Sequence, residues 1–338
     1  MLADRTTLRV GGPADTWITC GTEDELVAEV LRADRDGVPV LLLGGGSNLL
    51  VSDEGFRGTV IEIATAGTEA LDNGDEVRLT LAAGEPWDDV VSRVVAHGWT
   101  GIEALSGIPG LAGATPVQNV GAYGQDVSGV LVRVRALDRR TGEVRELAAG
   151  ECGLGYRSSR FKRERGGWVV LSVTMDLGTS GSGRVRYPEL ARSLGVPVGG
   201  EAPVAAIRGS VLSLRTRKGM VVNVDDPDTW SAGSFFTNPV VPASVADALP
   251  SDCPRYPAED GVKLSAAWLI QQAGCGPGFA VSPQARAAIS SKHTLALTNR
   301  GGATAADLVE LAREVRRRVE RTFGIPLEPE PVLVGLTL

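Results

Sequence analysis

The stretch that decides the fold is Pro39-Val40-Leu41-Leu42-Leu43-Gly44-Gly45-Gly46-Ser47-Asn48, an apolar run that ends on three consecutive glycines. A second apolar stretch follows at residues 59–64, so the pattern predicts a strand, a glycine-rich turn and a strand. Successive glycines let backbone N–H groups converge on an anion such as a pyrophosphate. Leu49 stands where a G-x-G-x-x-G fingerprint has its third glycine, and the P-loop lysine is missing. The stretch therefore predicts either an anion-binding turn outside a Rossmann fold or a tight structural turn.

The flanking sequence supplies the other elements. Thr22 and Glu25 form a capping box that predicts a helix over residues 22–36, and Thr304 with Asp307 opens a second helix in the same way. A third helical pattern covers residues 87–97. The pattern predicts strands at residues 76–81, 131–137, 144–147 and 168–177. The second and third of these strands are expected to form a hairpin.

A second glycine-rich segment spans residues 106–124, with five glycines and two prolines in nineteen residues and almost no charge. Loops exposed to solvent are usually more polar, so we expect this loop to be buried against a flat surface or a planar ligand. A flavin fits that description, and a buried structural loop is the alternative.

Three further turns carry reactive groups. Arg157 lies in the short polar turn Gly155-Tyr156-Arg157-Ser158-Ser159, where an arginine can bind a carboxylate in a bidentate manner, and an ordinary surface arginine is the alternative. Ser234 precedes two phenylalanines, a pattern that predicts a shielded hydroxyl or a core turn. Glu330 lies between two prolines near the end of the chain, in an extended segment or a solvated tail. A Ser-His-Asp hydrolase is disfavoured, because no G-x-S-x-G elbow surrounds Ser234 and the chain has only two histidines.

Composition narrows the classes of function. The 338 residues carry a net charge of −7 and no basic stripe, so we expect no nucleic-acid partner. The four cysteines form no C-x-x-C pair, so no metal site is expected. No apolar run reaches the ~18–20 residues of a membrane span, and no signal peptide is apparent. We therefore expect no membrane association and predict a cytoplasmic protein with reduced thiols.

Together these motifs resemble those of the UDP-N-acetylenolpyruvoylglucosamine reductases, also named UDP-N-acetylmuramate dehydrogenases (the MurB family). The resemblance runs from Thr7-Leu8-Arg9-Val10-Gly11-Gly12-Pro13-Ala14 to Leu327-Glu328-Pro329-Glu330, nearly the whole chain. Five motifs in the family's order are more specific than any one of them. The stretch Arg186-Tyr187-Pro188-Glu189-Leu190 is similar to the family type in which a tyrosine-bearing loop folds over the substrate.

The resemblance implies an α+β fold, a flavin-binding fold of the vanillyl-alcohol-oxidase type with a C-terminal α+β substrate domain. It places one FAD-binding subdomain at residues 1–66, a second at 67–221 and the substrate-binding domain at 222–324, with the tail 325–338 packing back on the FAD domain. It also implies non-covalent FAD and NADPH as cofactors. The residues that fall on its flavin-binding segments are Gly44, Gly45, Gly46, Ser47, Asn48, Ser106, Pro109, Gly110, Gly113, Ala114, Gln118, Asn119, Gly121, Ala122 and Tyr123.

The resemblance also assigns catalytic and substrate-binding positions. Arg157, Ser234 and Glu330 fall on the catalytic positions of the family. Five residues fall on or near the positions that hold the UDP-sugar, namely Tyr187, Arg215, Lys218, Asn238 and Lys263. Arg215 and Lys218 are three apart, so on a helix they would share a face.

The implied reaction is the NADPH-dependent reduction of UDP-N-acetylglucosamine enolpyruvate to UDP-N-acetylmuramate through FAD, in peptidoglycan precursor synthesis. Arg157 would stabilise the negative charge that develops after hydride addition, and Ser234 would donate the proton. Glu330 would polarise the enol ether or share a proton. Two alternatives stay open: another FAD-linked oxidoreductase of the same fold, and a non-catalytic UDP-sugar-binding protein.

Overall fold

The computed structural model describes all 338 residues, which divide into two compact units. The first unit comprises Met1–Ala14, Gly46–Phe56 and Lys218–Leu338, and the second comprises Asp15–Gly45 and Arg57–Arg217. Two short N-terminal segments thus fold with the C-terminal third of the chain. The three-part division of the chain into domains stays a prediction.

Eight α-helices form, and none combines the length and the apolar character that a bilayer crossing requires. They are α1 (Glu23–Arg35), α2 (Trp87–Ala96), α3 (Arg160–Arg163), α4 (Pro188–Leu194), α5 (Val204–Arg217), α6 (Ala243–Asp247), α7 (Ala266–Gln272) and α8 (Ala305–Phe323).

Nineteen strands, many of them only two to four residues long, complete the regular structure. They are β1 (Ala14–Cys20), β2 (Val40–Leu43), β3 (Leu49–Val51), β4 (Phe56–Ile63), β5 (Thr68–Asp72), β6 (Glu76–Ala82), β7 (Gly121–Ala122), β8 (Gln125–Asp126), β9 (Leu131–Asp138), β10 (Glu143–Ala148), β11 (Trp168–Gly178), β12 (Ser182–Arg184), β13 (Glu201–Pro203), β14 (Val240–Val241), β15 (Arg255–Ala258), β16 (Gly261–Leu264), β17 (Ala287–Ile289), β18 (Leu297–Asn299) and β19 (Val332–Val334).

The second unit is built on two sheets. The larger is antiparallel in the order β10-β9-β11-β6-β5, and the smaller has the order β1-β4-β2, in which β2 and β4 run parallel. The predicted hairpin is confirmed, because Val144 on β10 pairs with Leu137 on β9. Trp87 and Val91 of α2 are fully buried in the core that covers the larger sheet. This apolar face holds α2 against the larger sheet. The glycine-rich loop of residues 106–124 lies between these two elements.

The first unit is organised around α8. Thr304 caps it in a capping box with Asp307, as predicted, and the carboxylate of Asp53 accepts hydrogen bonds from the N–H groups of its first two residues. Such a cap stabilises a helix by about 1 kcal/mol. Gly324 adopts φ 67° and ends the helix. The apolar stripe of α8 is buried at Leu308, Leu311, Val315 and Val319, with Phe323 partly buried.

The chain tail returns to the N-terminal part of the first unit. Strand β19 pairs in parallel with β3, so that Val332 lies opposite Leu49 and Val334 opposite Val51. This pairing carries Glu330, two residues before β19, to the end of the turn at Asn48.

Candidate active site

The two glycine-rich segments meet within the second unit. A Cβ atom on Gly45 would lie only 2.8 Å from the Cα of Gly110, so the backbone at Gly110 leaves no room for a side chain on Gly45. The loop is also tied to residues before α2: Trp87 N donates to Gly110 O at 3.0 Å, and Ala112 N to Glu85 O at 2.8 Å. Two segments predicted independently to bind the flavin are therefore adjacent.

The rest of the glycine-rich turn lies in the first unit. Gly46 adopts φ 61°, and a Cβ atom there would meet the carbonyl oxygen of Arg5 at 1.8 Å, so only glycine fits. Asn48 donates through Nδ2 to the carbonyl of Glu330 at 3.3 Å, and its own carbonyl accepts from Val332 N at 2.9 Å. The turn is thus linked to the segment that carries a predicted catalytic carboxylate.

The loop of residues 106–124 is ordered by its own side chains. Asn119, buried and with φ 44°, accepts from Ser128 N at 3.0 Å and donates to Gly155 O at 3.2 Å. The side-chain Oε1 of Gln118 is buried and has no hydrogen-bond partner within the protein. A buried acceptor without a donor is unusual. Ring N–H and ribityl hydroxyl groups of a flavin would satisfy it, so the residues present fit an FAD.

Arg157 is held against this loop. Its guanidinium group donates to Gly121 O at 3.0 Å and lies 3.5 Å from Asn119 O. The residue has φ 49°, a left-handed conformation that costs a non-glycine residue about 1–3 kcal/mol and often marks functional sites. The predicted catalytic cation therefore contacts the predicted flavin-binding loop directly.

Arg215 lies near the same loop. It is 9% exposed near the end of α5, and burial lowers the pKa of its guanidinium group. The charges of Tyr123 and Asp88 act in the opposite direction, and that of Arg157 lowers the pKa further. Tyr123 also packs against the apolar cluster that contains Leu214, the residue before Arg215, so the loop reaches this end of α5.

Tyr187 also reaches the loop. Its ring meets that of Tyr123 edge-on at a centroid distance of 5.5 Å, and the side chain is 42% exposed. Tyr187 precedes α4, whose first residue is a proline, which fixes the chain direction there. The second unit thus brings together Arg157, Arg215, Tyr123 and Tyr187.

The pair of Asp88 and Arg208 was missed by sequence reasoning. Arg208 donates to both oxygens of Asp88, at 2.6 and 3.0 Å, and Gly107 N donates to the same carboxylate at 2.6 Å. Burial raises the pKa of Asp88, but the hydrogen bonds from Arg208 and Gly107 outweigh it, so the pKa is lowered. Together with the hydrogen bond from Gly107, the pair joins α5, which carries Arg215, to the predicted flavin-binding loop. No local pattern reveals a partner 120 positions away.

Three predicted substrate residues lie in the first unit. Helix α5 ends at Arg217, so Lys218 lies beyond it and the expectation of a shared helix face with Arg215 is wrong. The amide oxygen of Asn238 accepts from Ala266 N at 2.9 Å, at the start of α7. The ammonium group of Lys263 lies 6.0 Å from the ring of Tyr256.

Ser234 and Glu330 come from segments that pair in the first unit. Glu330 N donates to Phe235 O at 2.8 Å, and Thr237 N donates to Glu328 O at 3.0 Å. Phe235 is 0% exposed, which packs an apolar side chain directly after the serine. The backbone of Glu330 is thus bonded to that of Phe235, the residue after Ser234, and the third predicted catalytic residue, Arg157, belongs to the second unit.

Two family models match separate parts of the chain. Residues 14–148 match a model of an FAD binding domain, and residues 225–334 match the C-terminal domain of UDP-N-acetylenolpyruvoylglucosamine reductase. A relative from Thermobifida fusca (strain YX), named UDP-N-acetylenolpyruvoylglucosamine reductase, is 53% identical over 351 residues, covering 100% of this chain and 97% of its own. The chain belongs to the UDP-N-acetylenolpyruvoylglucosamine reductase family. The resemblance read from the sequence is confirmed.

Other members of the UDP-N-acetylenolpyruvoylglucosamine reductase family match equally broadly. One from Nocardia farcinica (strain IFM 10152) is 55% identical, covering 100% of this chain and 89% of its own. A crystal structure of the reductase from Thermus caldophilus superposes with a TM-score of 0.67 at 29% identity, covering 99% of this chain and 97% of that one. The predicted α+β flavin-binding fold with a C-terminal domain is confirmed, as is the expectation of an FAD-dependent oxidoreductase with NADPH as reductant.

Proposed function

We propose that this chain reduces UDP-N-acetylglucosamine enolpyruvate to UDP-N-acetylmuramate, with NADPH as the reductant, in peptidoglycan precursor synthesis. The observation that carries the proposal is the 3.0 Å contact from the Arg157 guanidinium to Gly121 O of the flavin-binding loop. The contact supports the proposal because a permanent cation would then lie beside the predicted cofactor segment, where a substrate carboxylate would need it.

The cofactor site would be formed by Gly44–Asn48 and the loop of residues 106–124. Backbone N–H groups at the glycines would bind the pyrophosphate, and the buried Oε1 of Gln118 would accept from the flavin. Bound FAD would supply the hydride chemistry between NADPH and the enolpyruvyl methylene carbon. The protein positions the reactants and excludes water.

Arg157 would act on the charge of the substrate. Hydride addition at the methylene carbon leaves negative charge on the neighbouring carbon and its carboxylate, and a pre-oriented guanidinium stabilises that charge. Removing a single such donor in other enzymes costs about 3–4 kcal/mol of barrier. The hydrogen bonds from Arg157 to backbone carbonyls hold the cation in place before the substrate arrives.

Ser234 would supply the proton in the next step. A serine hydroxyl is a weak acid, so its surroundings must do most of the enabling. Phe235 and Phe236 are 0% and 1% exposed, so two buried apolar side chains follow Ser234 directly. Glu330, tied to the same turn, would polarise the enol ether or share a proton with Ser234.

The remaining predicted residues would hold the UDP-sugar. Arg215 and Lys218 would bind a pyrophosphate or a carboxylate of the substrate. Tyr187, whose ring contacts that of Tyr123 edge-on, would cover the bound substrate. Asn238 and Lys263 complete the set. The small-molecule partners of the chain would be NADPH and this nucleotide sugar. The cytoplasmic location and the lack of a nucleic-acid partner stay predictions.

An anaerobic titration tests the proposal. The purified protein should be yellow, NADPH should bleach the flavin absorbance, and the enolpyruvyl nucleotide sugar should restore it without oxygen. If oxygen and a simple alcohol turn the enzyme over while the nucleotide sugar does not, the chain is a different flavin oxidoreductase. A colourless protein that still binds the nucleotide sugar would favour the non-catalytic alternative.

A further inference from the structure

The N-terminal motif, residues 7–14, begins with Thr7. This residue contacts two predicted functional segments of the first unit, the glycine-rich turn at Gly46 and the segment that leads into Ser234. Thr7 donates its backbone N–H to the carbonyl of Gly46 at 3.2 Å, within the flavin-binding turn. Its hydroxyl donates to the carbonyl of Ser231 at 2.7 Å, three residues before Ser234. These two contacts link segments that are far apart in the chain.

Ser231 in turn shapes the Ser234 turn. Its hydroxyl accepts from Gly233 N at 3.2 Å, and Gly233 adopts φ 73°, the left-handed conformation that turns the chain just before the serine. On the far side, Phe235 N donates to Leu295 O at 2.7 Å. The Ser234 backbone is therefore held at both ends, and the entry side depends on where Ser231 lies.

A second contact from the motif fixes the same stretch. The Arg9 guanidinium lies 3.9 Å from the ring centroid of Trp230, in a cation–π contact. Asn299 links the same two segments. Its Nδ2 donates to Leu8 O at 3.1 Å, and its backbone N–H donates to Trp230 O at 3.1 Å. The residues around Trp230 and Ser231 are thus packed against the motif rather than loosely looped.

We propose that Thr7 is a positioning residue for proton transfer: it ties the Ser234 turn to the flavin-binding turn at Gly46. The inference rests on the proposed function, in which Ser234 protonates the substrate. Proton transfer depends steeply on the geometry between donor and acceptor, and a displacement of about 1 Å caused far from the chemistry can cost ~100-fold in rate. Losing the Thr7 hydroxyl should therefore slow one step of the cycle selectively.

The test uses Thr7→Val, which keeps the shape and removes the hydroxyl, and follows the two half-reactions by stopped-flow absorbance of the flavin. Thr7→Val should bind FAD and be reduced by NADPH normally, and its flavin should be reoxidised by the nucleotide sugar ~10–100-fold more slowly. Thr7→Ser keeps the hydroxyl and should restore most of that rate.

Thr6→Val is the matched control. Thr6 is the neighbouring threonine, is buried, and donates its hydroxyl to Val10 O at 3.0 Å inside the N-terminal segment. Its loss should lower stability and leave both half-reactions at wild-type rates. Ser231→Ala is a second probe of the same path, since it removes the acceptor for Gly233 N and should reproduce the selective slowing.

The coupling to Ser234 is tested in a double variant. If Thr7 acts through Ser234, adding Thr7→Val to Ser234→Ala should slow reoxidation no further. Wild-type reoxidation in both Thr7→Val and Ser231→Ala, or equal slowing of both half-reactions, would overturn the inference. If Ser234→Ala itself reoxidises normally, the role of Ser234 in the proposed function fails instead, so the two failures are distinguishable.

Discussion

The backbone N–H of Glu330 donates a hydrogen bond of 2.8 Å to the carbonyl oxygen of Phe235. A bridge between Phe236 and Pro329 continues the pairing. The turn that carries Ser234, the predicted proton donor, and the segment that carries Glu330 are therefore aligned by main-chain contacts, which side-chain substitutions leave in place. Variants at Ser234 or Glu330 should consequently report on chemistry more than on folding.

The flavin should be released on denaturation. Covalent attachment of FAD uses a histidine or cysteine beside the ring, and the four cysteines, at positions 20, 152, 253 and 275, are all buried outside the two glycine-rich segments. Neither histidine lies in those segments. Acid precipitation should leave a colourless pellet and a yellow supernatant, and flavin that stays with the pellet would contradict non-covalent binding.

Arg215 and Lys218 should act on binding more than on chemistry. Arg215→Gln and Lys218→Ala should each raise KM for the nucleotide sugar by ~10-fold or more, the value of one charge-assisted hydrogen bond. Flavin reduction by NADPH should stay at the wild-type rate. Lys218→Ala is the cleaner probe, because Arg215 is buried and its replacement also perturbs packing. An unchanged KM in both variants would exclude the role.

The Asp88–Arg208 pair should support both stability and substrate affinity. The pKa of Asp88 is lower in the folded state than in the unfolded chain. The ion pair therefore stabilises the fold above the ordinary aspartate pKa of about 3.9, and this stabilisation is lost as the pH falls through the folded pKa of Asp88. Asp88→Asn should lower the free energy of unfolding at pH 7 by about 1 kcal/mol, discounted for partial exposure. The difference from wild type should shrink as the solution is acidified.

The pair of Arg78 and Asp176 provides the control. It has two hydrogen bonds of 2.8 Å on the large sheet and a similarly lowered aspartate pKa, caused by the Arg78 hydrogen bond. Asp176→Asn should show acid-dependent stability but a wild-type KM, whereas Asp88→Asn should raise KM as well. Identical kinetic behaviour of the two variants would remove the special role of Asp88.

Local patterns predicted much of the fold, because caps and apolar periodicity are written in neighbouring residues. Thr22 and Thr304 cap helices as predicted, and the hairpin of β9 and β10 forms in its expected place. Helix α5 ends one residue before Lys218 because Gly219, at φ 65°, turns the chain, which spacing alone did not reveal. Long-range strand pairings, such as that of β19 with β3, were not predicted either, because no local sequence pattern encodes them.

Stopped-flow absorbance of the Ser234→Ala flavin tests the central claim most directly, because it separates the two half-reactions. A positioned general acid contributes ~10²–10⁴-fold, so reoxidation by the enolpyruvyl nucleotide sugar should slow at least ~100-fold while reduction by NADPH stays near normal. Ser234→Cys should recover part of the loss, since a thiol can also donate a proton. Reoxidation of Ser234→Ala at the wild-type rate, or a defect confined to reduction by NADPH, would contradict the account.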